Sequence, residues 1–412
     1  MADVVYWQSA GRWMPPPLAT VPRRVDAAVL GAGLTGLAAA LCMSTAGLSV
    51  VVLERGRVGD GASGRNGGQV LTGLSPSYGD LAAVWGADAR SLWAEGAAAV
   101  GDVAKLVEHH HIECDWHQGG HLAVAAGATQ WRALAADAER LAADGMGVEV
   151  LDASETAHRL GWASYLGSVL DPRSATVNPY RLTTGLAQAA VRAGAAIVEQ
   201  APGVVESFPG GFRVRAGGVA LAAEQVVVAT NAYLPTALPH LRGRVQRVTS
   251  HMLATAPLPP AAADRLLRGR PAVYEESARA AHLQMTPDGR LVFGSRLPAA
   301  AAHLGSGPAL AAVLHDLIPD PLVNSLPIDS AWSGPIGHTQ AGLPTLGQTR
   351  SGIRWVGAYS GHGVALAVRL GTAMGRWVAT GERPVWPPGH IGAAAAAPSP
   401  CPDWPSPGPP KR

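Results

Sequence analysis

From Ala27 to Leu53 the chain runs 27 residues without a charged side chain, which leaves it two destinations, the interior of a bilayer or the interior of a protein. A spanning helix needs about 20 mostly apolar residues, and Arg23-Arg24 just ahead would suit an export signal. The order of the residues argues against both. Gly31, Gly33, Gly36 and Gly47 interrupt the run, and each would cost a continuous helix about 1 kcal/mol. Taken in pieces, Val25 to Leu30 is a short buried strand, Leu37 to Ala46 a helix, and Ser49 to Leu53 a second, β-branched strand. This is a βαβ unit with a G-x-G-x-x-G turn. Gly31 permits the tight turn, Gly33 lets backbone approach a pyrophosphate, and Gly36 lets the helix pack on the strand. Leu34 and Thr35 complete a helix N-terminus that supplies N–H donors to phosphates. Glu54, 18 residues after Gly36, ends the second strand where a carboxylate can accept from ribose hydroxyls.

The residues after Glu54 and Arg55 separate cofactor classes. The loop Gly59 to Gln69 carries Gly61, Ala62, Ser63, Arg65, Asn66, Gly67, Gly68 and Gln69, and can lay backbone donors along a ligand longer than one nucleotide. GAGLTGLAAAL followed by LERGRVGDGASGRNGGQ resembles the D-amino-acid oxidase superfamily of FAD-dependent oxidoreductases, in its glycine/sarcosine oxidase and γ-glutamylputrescine oxidase-like branch. The resemblance continues through the lead-in Tyr6-Trp7 and Pro15 to Pro17, through 171–199, through QVVVATNAYLP (225–235), and through a closing segment from AWSGPIGHTQAGLPTLGQ to IRWVGAYSGHGVALAVRLGTAMGRWVATG. It implies non-covalent FAD, since the closing segment lacks the cysteine that tethers flavin in some relatives. It also implies an adenine contact from the backbone of Val204, and further cofactor contacts from Thr230, Gly357, Ser360, Gly361, His362, Gly363 and Val364. A nicotinamide dehydrogenase using the first motif alone is the rival that this loop and closing segment oppose.

The fold expected is α/β, α+β overall: a Rossmann-type FAD-binding domain (1–79, 151–240 and 331–382) with an interleaved substrate domain (80–150 and 241–330) built on an antiparallel sheet. In 282–296, Asp288-Gly289 reads as a two-residue hairpin turn, and Gly217-Gly218 as another. Ile353 to Gly357 reads as a strand and Val364 to Thr380 as a helix ended by Gly381. From Arg383 onward, 383–412 holds 10 of the 33 prolines and five consecutive alanines, so a disordered tail is expected there.

Composition removes other function classes. Lys+Arg 32 less Asp+Glu 30 leaves +2, which gives no electrostatic footprint for nucleic acid. Only Lys105 and Lys411 are lysines, which argues against a pyridoxal Schiff base. Cys42, Cys114 and Cys401 form no C-x-x-C pair, so a reducing, cytoplasmic location without a membrane span is expected. His109, His110, His111, Cys114, Asp115, His117 and His121 match no zinc template, and no metal is expected.

The activity implied by the resemblance is oxidation of the C–N bond of an amine or amino acid by hydride transfer to flavin, giving an imine that hydrolyses. O2 is the expected acceptor. Sarcosine-type relatives use a lysine to activate O2, and none lies between Lys105 and Lys411, so another electron acceptor stays open, as does a non-catalytic flavin subunit. His251, Arg296, Trp332, Tyr359 and His362 are the candidate pocket residues. An arginine suits a substrate carboxylate or phosphonate. Arg296 also reads as a surface strand end, Trp332 as core packing and His362 as a turn cap.

Overall fold

The computed structural model describes residues 5–9, 11–16, 21–275, 277, 279–297, 306–384 and 386. The opening unit is β1 (Arg24–Leu30), α1 (Leu34–Thr45) and β2 (Val50–Leu53). Between it and the next nucleotide-side strand lie β3 (Gln69–Val70), α2 (Tyr78–Trp85), α3 (Asp88–His110), β4 (His121–Ala125), α4 (Ala128–Ala143), β5 (Glu149–Asp152), α5 (Ala153–Leu160), β6 (Gly167–Asp171) and β7 (Ala175–Thr176). The chain returns through α6 (Pro179–Arg192), β8 (Ala196–Val198), β9 (Val204–Phe208), β10 (Gly211–Ala216) and β11 (Val219–Val228). A second excursion contains β12 (Val245–Thr255), α7 (Pro260–Arg265), β13 (Ala272–Glu275), β14 (His282–Met285), β15 (Leu291–Ser295), α8 (Ser306–Leu317), α9 (Pro321–Ser325) and β16 (Ile328–Thr339). β17 (Thr345–Gln348), β18 (Arg354–Gly357) and α10 (Gly363–Thr380) close the fold.

The first sheet runs β17-β18-β11-β1-β2-β8, with β10 and β9 added beyond β11. β1 pairs in parallel with both β2 and β11, Val29 standing beside Val52 and Val227. Such a central strand is covered on both faces, which is why Ala27, Ala28 and Val29 show no exposure. α1 is buried along nearly its whole length between this sheet, α6 and α10. Ala38, Ala39 and Ala40 keep it slim enough to fit there. A helix that is apolar all round is one buried all round, and that explains the uncharged run. Among the described residues no helix is long and apolar enough to cross a membrane.

The second sheet runs β16-β12-β15-β14-β13-β4-β6-β5. Its pairs are antiparallel, as expected, except β13 with β4, whose parallel pairing makes the sheet mixed. The domain divisions expected at 150/151 and 330/331 both fall inside it. β6 pairs with β4 and β5, and β16 pairs with β12 from Val245↔Thr339 onward. Nothing local in 149–171 or 328–339 says which sheet these residues join, because the strands they pair with, β4 and β12, lie far off in the sequence.

Gly217-Gly218 is the expected two-residue turn, both residues at positive φ. Asp288-Gly289 is not: Thr286 and Arg290 pair across it, and the Gly289 N–H donates to the Thr286 carbonyl at 3.0 Å, closing a three-residue loop. Most of the proline-rich stretch read as a disordered tail lies outside the described residues.

Candidate active site

The β1–α1 turn borders the first of two adjoining cavities. Gly31 has φ +103°, and a Cβ there would lie 2.8 Å from the Ala229 carbonyl oxygen, so only glycine fits both the backbone and the approach. Gly33 is the N-cap of α1 and has no side chain to cap it. Ser63 Oγ, from the glycine-rich loop, accepts from the Leu34 N–H at 3.0 Å instead. The positive end of the helix dipole thus borders a cavity of about 530 Å3.

Its wall includes Gly31, Gly33, Leu34, Thr35, Glu54, Arg55, Gly61, Ala62, Ser63, Asn66, Thr230, Gly361, Gly363 and Val364. Glu54 accepts from the Ala32 and Gly56 N–H groups, each at 2.8 Å. A carboxylate has about four acceptor positions, so ribose hydroxyls still find room. Thr230 Oγ1 is buried on this wall without a hydrogen-bond partner among the described residues, and buried polar atoms want one. A cavity of this size with a helix N-terminus, an acid and an unsatisfied hydroxyl fits a dinucleotide such as FAD.

Four expected cofactor residues lie off both walls. Gly36 packs the helix onto the turn, where a Cβ would overlap the Gly31 carbonyl oxygen. Gly68 is wedged against Gln284 and the Val177 carbonyl, and Gly357 against Asn231. Val204 begins β9 with 49% of its surface exposed; Pro202 and Gly203 line the cavity in its place.

Ala62, Asn66, Ile336, Gly361 and Val364 border both cavities, and here the first adjoins a second of about 430 Å3 beneath the mixed sheet. Arg65, Gly67, Gln69, Ser360 and His362 line this second space. The loop is knit to itself and to the roof. Asn66 Nδ2 donates to the Ala62 and Ser63 carbonyls (both 3.0 Å), and its Oδ1 accepts from Gly68 N–H at 2.8 Å. Gln69 Nε2 donates to the Val273 and Leu283 carbonyls at 3.2 and 3.0 Å. These two amides therefore position the loop.

Of the five candidate catalytic residues, the structure brings Arg296 and His362 to the second cavity. Tyr359 borders the first instead, fully buried with its hydroxyl 2.7 Å from Thr35 Oγ1; burial pushes its phenol well above the usual range. Trp332 is fully buried, and its indole N–H donates to the Arg65 carbonyl at 2.7 Å, so it ties the loop to the mixed sheet. His251 lies between Ser250 and Met252, which line the second cavity, and strand alternation turns it to the other face.

Three further histidines line the second cavity: His121 from β4, His282 from β14 and His338 from β16. His121 Nε2, His338 Nε2 and His362 Nδ1 are buried without hydrogen-bond partners among the described residues. Burial holds His362 down to about 4, helped by the neighbouring His121 and His338. It also brings His121 to about 4, against the opposing pull of Asp171. His338 is lowered by burial and by Arg296, and His282 by burial despite its bond to the Ala280 carbonyl. All four imidazoles are consequently neutral near pH 7. Asp171 is committed elsewhere, accepting from Arg173 Nε at 2.9 Å and from Thr72 Oγ1 at 2.7 Å. The period-two pattern of Gly334, Ile336 and His338 was the signal that would have placed His338 on the cavity face. His121 had none beyond its place in a strand.

The other members of the histidine-rich segment disperse: His117 Nε2 lies 2.8 Å from the Gly269 carbonyl oxygen, and Asp115 pairs with Arg181.

The sequence model of the family described as FAD dependent oxidoreductase (DAO) matches residues 26–379. The chain is 32% identical over 362 residues to the probable oxidoreductase OrdL of Haemophilus influenzae, covering 85% of this chain and 82% of that one. It is 29% identical over 372 residues to γ-glutamylputrescine oxidoreductase of Escherichia coli, covering 89% and 87%. Its fold is similar to that of glycine oxidase from Geobacillus kaustophilus, with a TM-score of 0.70 at 23% identity over 87% of this chain and 95% of that one.

Proposed function

Because the chain belongs to the DAO family of FAD dependent oxidoreductases, we propose that it oxidises the C–N bond of an amine or amino acid, with O2 as electron acceptor. The observation that carries this reading is the junction at Ala62, Asn66, Ile336, Gly361 and Val364. There a cavity suited to FAD meets a roofed chamber bearing one arginine of the roof and four uncharged imidazoles. The chemistry supplied by bound FAD is acceptance of a hydride from the substrate carbon, after which water attacks the imine to release a carbonyl and an amine or ammonia.

The chain's own residues hold and orient. Arg296 offers paired N–H donors to a substrate carboxylate or phosphonate. Neutral imidazoles of His121, His338 and His362 accept from, or donate to, the substrate's nitrogen without adding charge beside it. That suits an amine, which must be unprotonated to give up a hydride. The mixed sheet excludes bulk water from the reacting end.

FAD is read as non-covalent: neither Cys42 nor Cys114 borders either cavity. Their free thiols suit a reducing compartment such as the cytoplasm.

The purified protein should be yellow and release FAD on denaturation. Without air, the right amine should bleach it, and air should restore the colour with formation of peroxide. Recovery only with an artificial acceptor would make the enzyme a dehydrogenase, a reading favoured by the absence of lysine among the described residues of both cavity walls. A flavin that no amine in a broad panel bleaches would remove the proposal.

A further inference from the structure

The second cavity is larger than its polar end. Away from Arg296 and His362 it extends between α2, α3 and α4 as an annex walled by Leu71, Leu74, Trp93, Leu141, Val148 and Val169. Protein interiors are packed to crystal-like density, so an apolar space open to a reactive chamber is kept by the structure rather than left over. The annex wall is firmly held. Ser77 caps α2 by accepting from Asp80 N–H at 3.1 Å, and the Tyr78 and Trp93 rings meet edge to face at 5.5 Å. Tyr78 is tied in turn to Asp144, the C-cap of α4.

Among the described residues no unpaired buried carboxylate borders the annex. Of the carboxylates bordering it, Asp137 is held by Arg140 at 2.8 Å and Asp171 by Arg173 and Thr72, while Asp80 is exposed at the rim. An ammonium placed among the six apolar side chains would lose its water and gain no partner.

We infer that the substrate is an amine or amino acid bearing a large apolar group, which lies in the annex while the amine meets the imidazoles. This rests on the amine-oxidation reading and narrows it away from glycine-sized amines and from diamines. Burying a phenyl-sized group there would be worth about 10- to 100-fold in kcat/KM.

The test compares substrates that differ by one phenyl group: glycine with both enantiomers of phenylalanine, and ethylamine with 2-phenylethylamine. Putrescine is added as the diamine. The readout is the rate of anaerobic flavin bleaching by the full-length holoenzyme. The inference expects the phenyl-bearing member to lead its pair by at least 10-fold and putrescine to lag. Leu141→Trp, which fills the annex, should cut that ratio by about 10-fold, flavin content per chain reporting whether the variant is folded. Should it fail to fold, the wild-type ratios decide alone. Bleaching by glycine, ethylamine or putrescine in preference to the phenyl-bearing amines overturns the annex reading and leaves amine oxidation standing. Bleaching by none of them overturns the annex reading, and a flavin that no amine in the broad panel bleaches overturns amine oxidation as well.

Discussion

The two cavities are built on opposite plans. The dinucleotide cavity is made largely of backbone: a glycine turn, a helix terminus and a carboxylate held by two N–H groups at 2.8 Å. The second cavity is made of side chains that β4, β14, β16 and the turn before α10 bring together from far apart in sequence. A backbone cradle tolerates no change at its few tight positions and is indifferent elsewhere. A side-chain chamber spreads its function over many residues, each removable at a finite loss. Gly31→Val breaks the first plan outright. It adds a branched side chain where φ is +103° and the Ala229 carbonyl lies 2.8 Å from the Cβ position. The purified variant should be colourless, with FAD affinity down at least 100-fold by fluorescence titration while circular dichroism keeps the wild-type helix content. A yellow Gly31→Val would show that the turn is not the cradle.

Arg296→Gln tests the second plan. A charge-assisted bond to a substrate carboxylate is worth about 1.5–3 kcal/mol, so KM for a carboxylate-bearing substrate should rise about 10- to 100-fold while FAD content stays unchanged. An equal rise for a plain amine of the same size would remove Arg296 from carboxylate recognition.

The same contrast explains how much could be read from the sequence. Gly31, Gly33 and Glu54 were legible because a backbone cradle needs particular residue types at fixed local spacing. His121 and His338 were not, because nothing local to GGHLAV or GPIGHT says that β4 and β16 border one chamber. Trp332, which also read as core packing, and His251 lie off both cavity walls for a related reason. Both stand on strands beside the chamber, but loop 59–69 covers the first and alternation turns the second away. Val204, an expectation carried over from the resemblance, stands one position beyond Pro202 and Gly203 on the first cavity's wall. The domain boundaries slipped because strand pairing, not composition, decides sheet membership.

The imidazoles also give the chamber a pH signature. In the unfolded chain histidines protonate near 6.5, whereas His121 and His362 stay neutral down to about 4. As pH falls the unfolded state therefore binds more protons, so stability is fully present above about 6.5 and is lost between about 6.5 and 4. Thermal midpoints measured from pH 7.5 to 4.5 should fall, and His121→Asn should flatten part of that slope. An identical slope in the variant would mean that the loss comes from other groups.

The smallest effect sharpens the comparison from the cofactor side, where one feature does use side chains. The Arg55 and Arg247 guanidiniums lie 4.4 and 5.1 Å from the centre of the Tyr233 ring, and all three residues border the dinucleotide cavity. Neither arginine meets a carboxylate among the described residues. Two like charges held against one ring repel each other, and a bound pyrophosphate would relieve that repulsion. A cation–π contact at a partly exposed site is worth about 0.5–1 kcal/mol, so Arg247→Gln should weaken FAD binding only about 2- to 5-fold. The distinguishing readout is salt. Between 50 and 500 mM NaCl the wild-type affinity should fall more steeply than that of Arg247→Gln, because a charge paired with phosphate is screened and a glutamine is not. Parallel salt dependences would place Arg247 outside the cradle and leave the glycine turn and helix terminus to hold the pyrophosphate by backbone alone.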